Sequence, residues 1–412
     1  MSDTSQLPPI ALEAFSPEQW DNPYPYYHRL RREHPLLYDE ERDVWLLTRY
    51  ADCEAVLRDP RWSSNPAHIR KPRPIEEASV REAMAYTGSN VLLFMDPPDH
   101  TRIRNLVSRN FTPRAVARLR PRIEQIVDDL LDQAAEKGEL EIVGEYGFVV
   151  PVTVICELLG VPVEDRERFG PWSQAASRLL DGELDKETMT AGILAAMELI
   201  NYLNPLIEER RKHPRDDLLS HLVHAEHEEH RLSDQELRAL TLLLFVAGHE
   251  TTMNLIGNGM KALLEHPDQL DRLREDPTLV VTAVEECLRY DGPVHVTGRI
   301  PTEDITLAGH TFPKGCQVVT LLAAANRDPA EFPDPDRFDI TRHPNHHLAF
   351  SKGIHHCLGA SLARLEAQIA IGRLVSRFGT IEMITERPRY REHFVLRGLR
   401  ELRVSLREPR GR

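Results

Sequence analysis

Apolar residues recur every three to four positions through most of the chain, so helix is the main element the pattern predicts. Residues 23–33, 50–58, 98–108, 119–135, 151–159, 163–180 and 189–211 each carry such spacing, and 151–159 is apolar enough to be buried. The longest signal begins at Ser233, where Ser233 and Glu236 have capping-box spacing. It runs to Glu265 and stops at His266-Pro267. Thirty-odd residues at this rise per residue span about 48 Å, enough to cross the whole molecule. Residues 242–247 are apolar on every face, which places the middle of this helix in the interior. A further apolar, helix-forming run covers 360–378. Two-residue alternation is short: 44–48, 294–299, 306–311, 317–322 and parts of 394–404 read as strands. Pro313-Lys314-Gly315 reads as a turn. The run 61–90, with Pro66, Pro72 and Pro74, reads as a long loop holding a short helix, and 181–190 as a polar break. The fold class expected is mainly α with small β-sheets.

Composition narrows this only a little. The chain has 412 residues, 41% hydrophobic, with no linker, repeat or low-complexity tract, which favours a single domain over 1–412. Five scattered cysteines fit a reducing, cytoplasmic setting better than a disulfide framework. Residues 1–20 hold no long apolar run, so neither a secretion signal nor a membrane anchor is expected. A net charge of −14 argues against general nucleic-acid binding. Between Thr101 and Arg122, however, there are seven arginines and no acid. That run is either a solvated face or a docking patch for an acidic partner.

The chemistry concentrates in Phe350-Ser351-Lys352-Gly353-Ile354-His355-His356-Cys357-Leu358-Gly359. Cys357 stands alone between two glycines, just before a predicted helix. A helix N-terminus there favours thiolate over thiol, and Gly353 and Gly359 would let a flat ligand approach the backbone. A lone thiolate beneath a planar surface is what axial ligation of haem iron requires. Two other readings remain open on these residues: a structural cysteine, and a zinc site drawing on His343, His346, His347, His355 and His356. Against zinc stand the single cysteine and the adjacent histidine pairs, whose side chains diverge.

The same stretch resembles the haem-binding loop of the cytochrome P450 family, with Phe350, Gly353, His355, Cys357 and Gly359 matching and Ser351 replacing a usual glycine. The resemblance extends along the chain in family order. Ala247-Gly248-His249-Glu250-Thr251-Thr252, in the long helix, is similar to the oxygen-activation motif. It implies that Gly248 admits a flat group, that Thr251 hydrogen-bonds oxygen and a water, and that Glu250 relays protons. His100 and Arg104, four apart, resemble the pair that contacts the haem propionates, and Arg299 resembles a third propionate partner. Glu286 and Arg289 resemble the family's Glu-x-x-Arg, with Arg337 expected to complete a buried triad. Residues 91–95 are expected to close over substrate, the helices around 163–211 to form a lid, and Val294, Val296, Phe394 and Val395 to line the pocket.

The resemblance implies haem b held between the long helix and the Cys357 loop, with Cys357 as the metal ligand. The implied reaction inserts one oxygen atom from O2 into an apolar small molecule, a secondary metabolite such as a polyketide, macrolide or terpenoid. No Gly-rich flavin or dinucleotide motif is present, so electrons are expected from a separate ferredoxin and ferredoxin reductase. Two alternatives are a peroxide-driven haem enzyme and a non-catalytic haem sensor or carrier.

Overall fold

A computed structural model describes residues 17–40, 42–72, 91–181, 184–224 and 232–409. The chain start and most of the predicted 61–90 loop lie outside the described residues. Helices of nine or more residues run in the order α1 (Tyr24–Glu33), α2 (Tyr50–Arg58), α3 (Asp99–Ser108), α4 (Arg120–Lys137), α5 (Val149–Leu159), α6 (Arg166–Ser177), α7 (Lys186–Lys212), α8 (Asp234–Glu265), α9 (Pro267–Glu275), α10 (Val280–Asp291) and α11 (Ala360–Arg377). Ten short strands lie among the described residues. Five form a mixed sheet in the order β1 (Leu36–Asp39), β2 (Val44–Leu47), β8 (Gln317–Leu321), β5 (Val296–Pro301) and β3 (Trp62–Ser63). β4 (Glu139–Glu141), β10 (Arg403–Pro409) and β9 (Phe378–Met383) form a second sheet. β6 (Ile305–Leu307) and β7 (His310–Phe312) make a hairpin.

α8 is the axis of the molecule. Ser233 Oγ accepts from Glu236 N while a Glu236 carboxylate oxygen accepts from Ser233 N, so the capping box is complete and fixes where the helix begins. Against α8 pack α5, α10, α11 and the π-helical turn Ile142–Gly147. Phe245 on α8 is fully buried and meets Phe169 of α6 edge-on, 4.7 Å between ring centres. An aromatic pair of this kind adds about 0.5–1.5 kcal/mol beyond the area it buries. Two helical stretches, Ile142–Leu159 and Asp234–Glu265, are long and apolar enough to cross a membrane. Most of each lies inside the molecule, as the central helices of a large core do.

Three local expectations change. α7 begins at Lys186 rather than 189, because Asp185 caps it by accepting from Thr188 N at 2.8 Å; its polar first turn is the solvated side of a helix. Residues 306–311 are a hairpin tip, with Ala308 (φ 52°) and Gly309 (φ 78°) giving the two left-handed residues such a turn needs. The 294–299 strand starts two residues later, since Val294 only bridges Leu396. This strand start also puts Val296 in the core with Leu321 rather than leaving it free to line a pocket.

Candidate active site

The Cys357 loop is built by close backbone packing. Cys357 N donates to Phe350 O at 2.9 Å and His356 N to Gly353 O at 3.2 Å, which folds the loop back on itself. Gly353 has φ 67°, and a Cβ there would stand 2.3 Å from Leu57 O at the end of α2. Its glycine therefore serves loop packing, whereas a Cβ on Gly359 would meet nothing within 4 Å. Ser351 is held at φ 59°, a left-handed conformation that costs a residue with a side chain roughly 1–2 kcal/mol. Behind the loop, Arg364 lies 4.4 Å over the Phe350 ring and donates twice to Glu285 (2.7 and 2.9 Å), which His347 also contacts.

The Cys357 side chain is exposed at its tip, with protein packed closely around it. Burial pushes its pKa up; the Gly359 N–H, Arg104 and Arg364 oppose this without reversing it. The helix end alone, expected from the sequence to make a thiolate, is thus outweighed by desolvation. A thiolate at this place calls for a cation directly on the sulfur.

On α8, Ala247 is exposed and Gly248 and Thr251 are half-exposed in a helix whose other central residues are mostly buried. These three lie on one face of the helix. Thr251 Oγ1 donates to Ala247 O at 3.0 Å. Glu250 is buried and accepts from Arg391 Nη1 at 2.8 Å. A Cβ on Gly248 would lie 2.9 Å from Ile155, so its glycine lets α8 approach α5, a different role from the admission of a flat group expected from the sequence. Neither Arg391 nor the fully buried Glu366, whose carboxyl is raised well above its ordinary value by burial, carried a sequence signal.

Four basic groups converge here, and Asp96 is near enough to favour the charged forms of His100 and Arg299. Arg299, buried on β5, is lowered to about 10 by burial and donates only to Thr297 Oγ1 and Gly298 O. Arg104 donates to His356 O at 2.6 Å. His100 and His355 meet with ring centres 4.4 Å apart, tilted at 55°; among the described residues both ring nitrogens of His100 and Nε2 of His355 are buried without a partner. Burial first, then Arg299, His100 and Arg104, push His355 down to about 3. Among the described residues no carboxylate pairs with Arg104 or Arg299. A cradle of this kind fits a ligand that brings its own carboxylates. A flat group with two carboxylates and a metal centre that accepts a thiolate satisfies the cradle, the open α8 face and Cys357 together.

The profile of the cytochrome P450 family matches residues 184–400. A vitamin D(3) 25-hydroxylase of Pseudonocardia autotrophica is 45% identical over 405 residues, covering 96% of each chain. This chain belongs to the cytochrome P450 family. The polyketide biosynthesis P450 PksS of Bacillus subtilis (strain 168) is 40% identical over 394 residues, covering 93% of this chain and 96% of its own. The crystal structure of P450BioI in complex with hexadec-9Z-enoic acid ligated acyl carrier protein superposes with a TM-score of 0.88, at 40% identity and 96% and 100% coverage.

As a P450, the protein has the mainly α fold with small sheets, uses haem b, and is a monooxygenase that acts on a small molecule with O2 and electrons from redox partners. Among the described residues no three or more His, Cys, Asp and Glu side chains come together as a metal site. The buried triad is corrected at one member. Glu286 and Arg289 pair at 2.8 Å twice, but Arg337 is largely exposed and contributes only its carbonyl. The third member is Arg342, held inward because its Nη atoms donate to Pro333 O, Asp334 O and Arg337 O.

Proposed function

We propose that Cys357 ligates haem iron and that His100, Arg104, Arg299 and His355 hold the propionates. The single observation carrying this is the unpaired basic cradle beside an enclosed, accessible thiol. Phe350, Gly353 and Gly359 would shape the loop that holds the haem, and Ala247 and Gly248 would contribute the α8 side of its site. Bound haem supplies O2 activation, with the thiolate donating electron density to iron. The chain's own residues handle the protons: the Thr251 hydroxyl is poised on Ala247 O, from which it can turn to a water, and Glu250 stands next in the helix with Arg391 on its outer side.

The substrate is an apolar secondary metabolite, a reading supported by the named activities of the relatives and by exposed Leu93 and Phe94 in the 91–95 segment. The protein is read as one cytoplasmic domain over 1–412. The electron donor is a ferredoxin served by its reductase. Within 101–122, Arg104 turns inward, while Arg109, Arg114 and Arg118 are exposed and make the outer patch. Reversing Arg109 and Arg118 is expected to slow reduction and blunt its salt dependence; unchanged kinetics would dismiss the patch.

Turnover of a panel of macrolactones, terpenoids and secosteroids under 18O2, with ferredoxin and reductase, tests the function. One labelled oxygen per product is expected. Efficient turnover with added peroxide that is indifferent to Thr251→Ala would instead favour the peroxide-driven reading.

A further inference from the structure

One short loop links Glu250 to the end of α6. Arg391 Nη1 donates to Glu250 Oε1 at 2.8 Å. Two residues on, His393 Nδ1 lies 2.6 Å from Asp181 Oδ1 and its Nε2 3.2 Å from Ser177 O. The same Asp181 oxygen accepts the backbone N–H of Phe394 at 3.0 Å and of Val395 at 2.9 Å. Arg178 Nε stands 3.4 Å from the other Asp181 oxygen. Asp181 follows the turn Arg178–Leu180 that extends α6, while Glu250 is in the middle of α8.

The loop between them has little slack. Arg391 N donates to Gly398 O and His393 N to Arg391 O, both at 2.9 Å, and Val395 O accepts from His295 N at 2.9 Å. The Asp181 and His393 side chains are nearly fully buried, so these bonds are sheltered from water. Without Asp181, the backbone N–H groups of Phe394 and Val395 would lose their acceptor together, and a buried donor left unmet is costly. The loop would therefore leave its place rather than stay unsatisfied, and Arg391 would move with it.

We propose that Asp181 is a positioning residue for Glu250: by anchoring loop 391–395 it holds Arg391 against the Glu250 carboxylate, and so ties the state of the α6 end to proton handling at the active site. The inference rests on the reading of Glu250 as a proton-handling group. Arg391 is about one-fifth exposed and lies between Glu250 and solvent, so its position decides how that carboxylate meets outside water.

The test uses the haem-loaded full chain with ferredoxin, reductase and a turned-over substrate, reading product formed per O2 consumed and peroxide released. Glu250→Gln is the reference and is expected to slow the product-forming step by on the order of 10²-fold, the size of a positioned proton-transfer group. Asp181→Asn, Asp181→Ala and Arg391→Gln are expected to lower product per O2 several-fold in the same direction, with Arg391→Lys restoring much of it. Asp181→Ala made in the Arg391→Gln background is expected to add nothing, because both act through one contact. Hydrogen exchange of the holoenzyme gives a readout independent of turnover: Asp181→Ala should raise exchange in 391–396 and in the middle of α8, and Arg391→Gln in α8 alone. If Asp181→Ala does not fold, Asp181→Asn and His393→Gln carry the same comparison. Glu250→Gln without effect would overturn the reading of Glu250 and this inference with it. A strong Glu250→Gln effect beside additive or silent Asp181 variants would overturn the inference alone.

Discussion

Arg342 Nε lies 3.2 and 3.3 Å from the two carboxylate oxygens of Glu286, across a separation of 56 residues. Glu286 also takes two bonds from Arg289, one from Asp339 N and one from Asn345 Nδ2. It is a fully buried carboxylate whose acceptors are all used. Arg342→Ala should cost about 1.5–3 kcal/mol, the worth of a hydrogen bond to a charged group. Glu286→Gln, which leaves two buried arginines without a counter-charge, should cost about 3–5 kcal/mol and reduce haem content. Arg337→Ala should stay within about 0.5 kcal/mol. Thermal melts of the three holoproteins check the order; equal losses at 337 and 342 would contradict it.

Ser351 offers a gain in stability. Its φ of 59° carries a steric cost that glycine does not have, offset in part by glycine's greater freedom when unfolded. Ser351→Gly should stabilise the holoprotein by up to about 1 kcal/mol, and Ser351→Val, β-branched in the same place, should destabilise it. A melt showing no benefit from glycine would mean that the Ser351 hydroxyl has a stabilising partner.

The basic cradle predicts haem affinity. Among the described residues no carboxylate ion-pairs with Arg299 or Arg104, so Arg299→Gln and Arg104→Gln should each weaken haem binding by about 10- to 100-fold. The apo-chain should gain stability from Arg299→Gln, because burial alone opposes that charge and its pKa is already lowered to about 10. Haem-transfer rates to apomyoglobin, set beside apo-protein melts, read both effects. An Arg299→Gln protein that keeps haem as tightly as the parent would remove Arg299 from the site.

Glu366 sets a pH dependence. Burial raises its carboxyl well above the ordinary 4.5, so between the two values the folded chain holds a proton that the unfolded chain has released. Its contribution is therefore present at low pH and lost as pH rises toward the native value. Glu366→Gln, always neutral, should raise the melting temperature little near pH 5 and more near pH 8. A difference independent of pH would contradict this.

Much of the fold was legible because its signals are local. The capping box at Ser233, the apolar centre of α8 and the spacing of the Cys357 loop are each contained in a few neighbouring residues. Arg342 was not legible: Arg337 fits the motif wording equally well, and only the backbone turn at 333–342 decides which guanidinium faces inward. The same holds for Arg391 and Glu250, 141 residues apart, and for the Asp181 anchor. Gly248 and Gly353 stood out correctly as glycines, but the neighbours that require them, Ile155 and Leu57, are tertiary. Local propensity also missed the hairpin at 306–311, where the turn residues Ala308 and Gly309 look unremarkable within an alternating run.

The central claim is that Cys357 is the thiolate ligand of a haem held by the basic cradle. The absorption spectrum of the reduced, carbon-monoxide-bound protein tests it most directly, recorded beside Cys357→Ser. The parent should show a strongly red-shifted Soret band, and Cys357→Ser should lose it while keeping its fold. A Soret band indifferent to that substitution, or a protein that takes up no haem, would contradict the account.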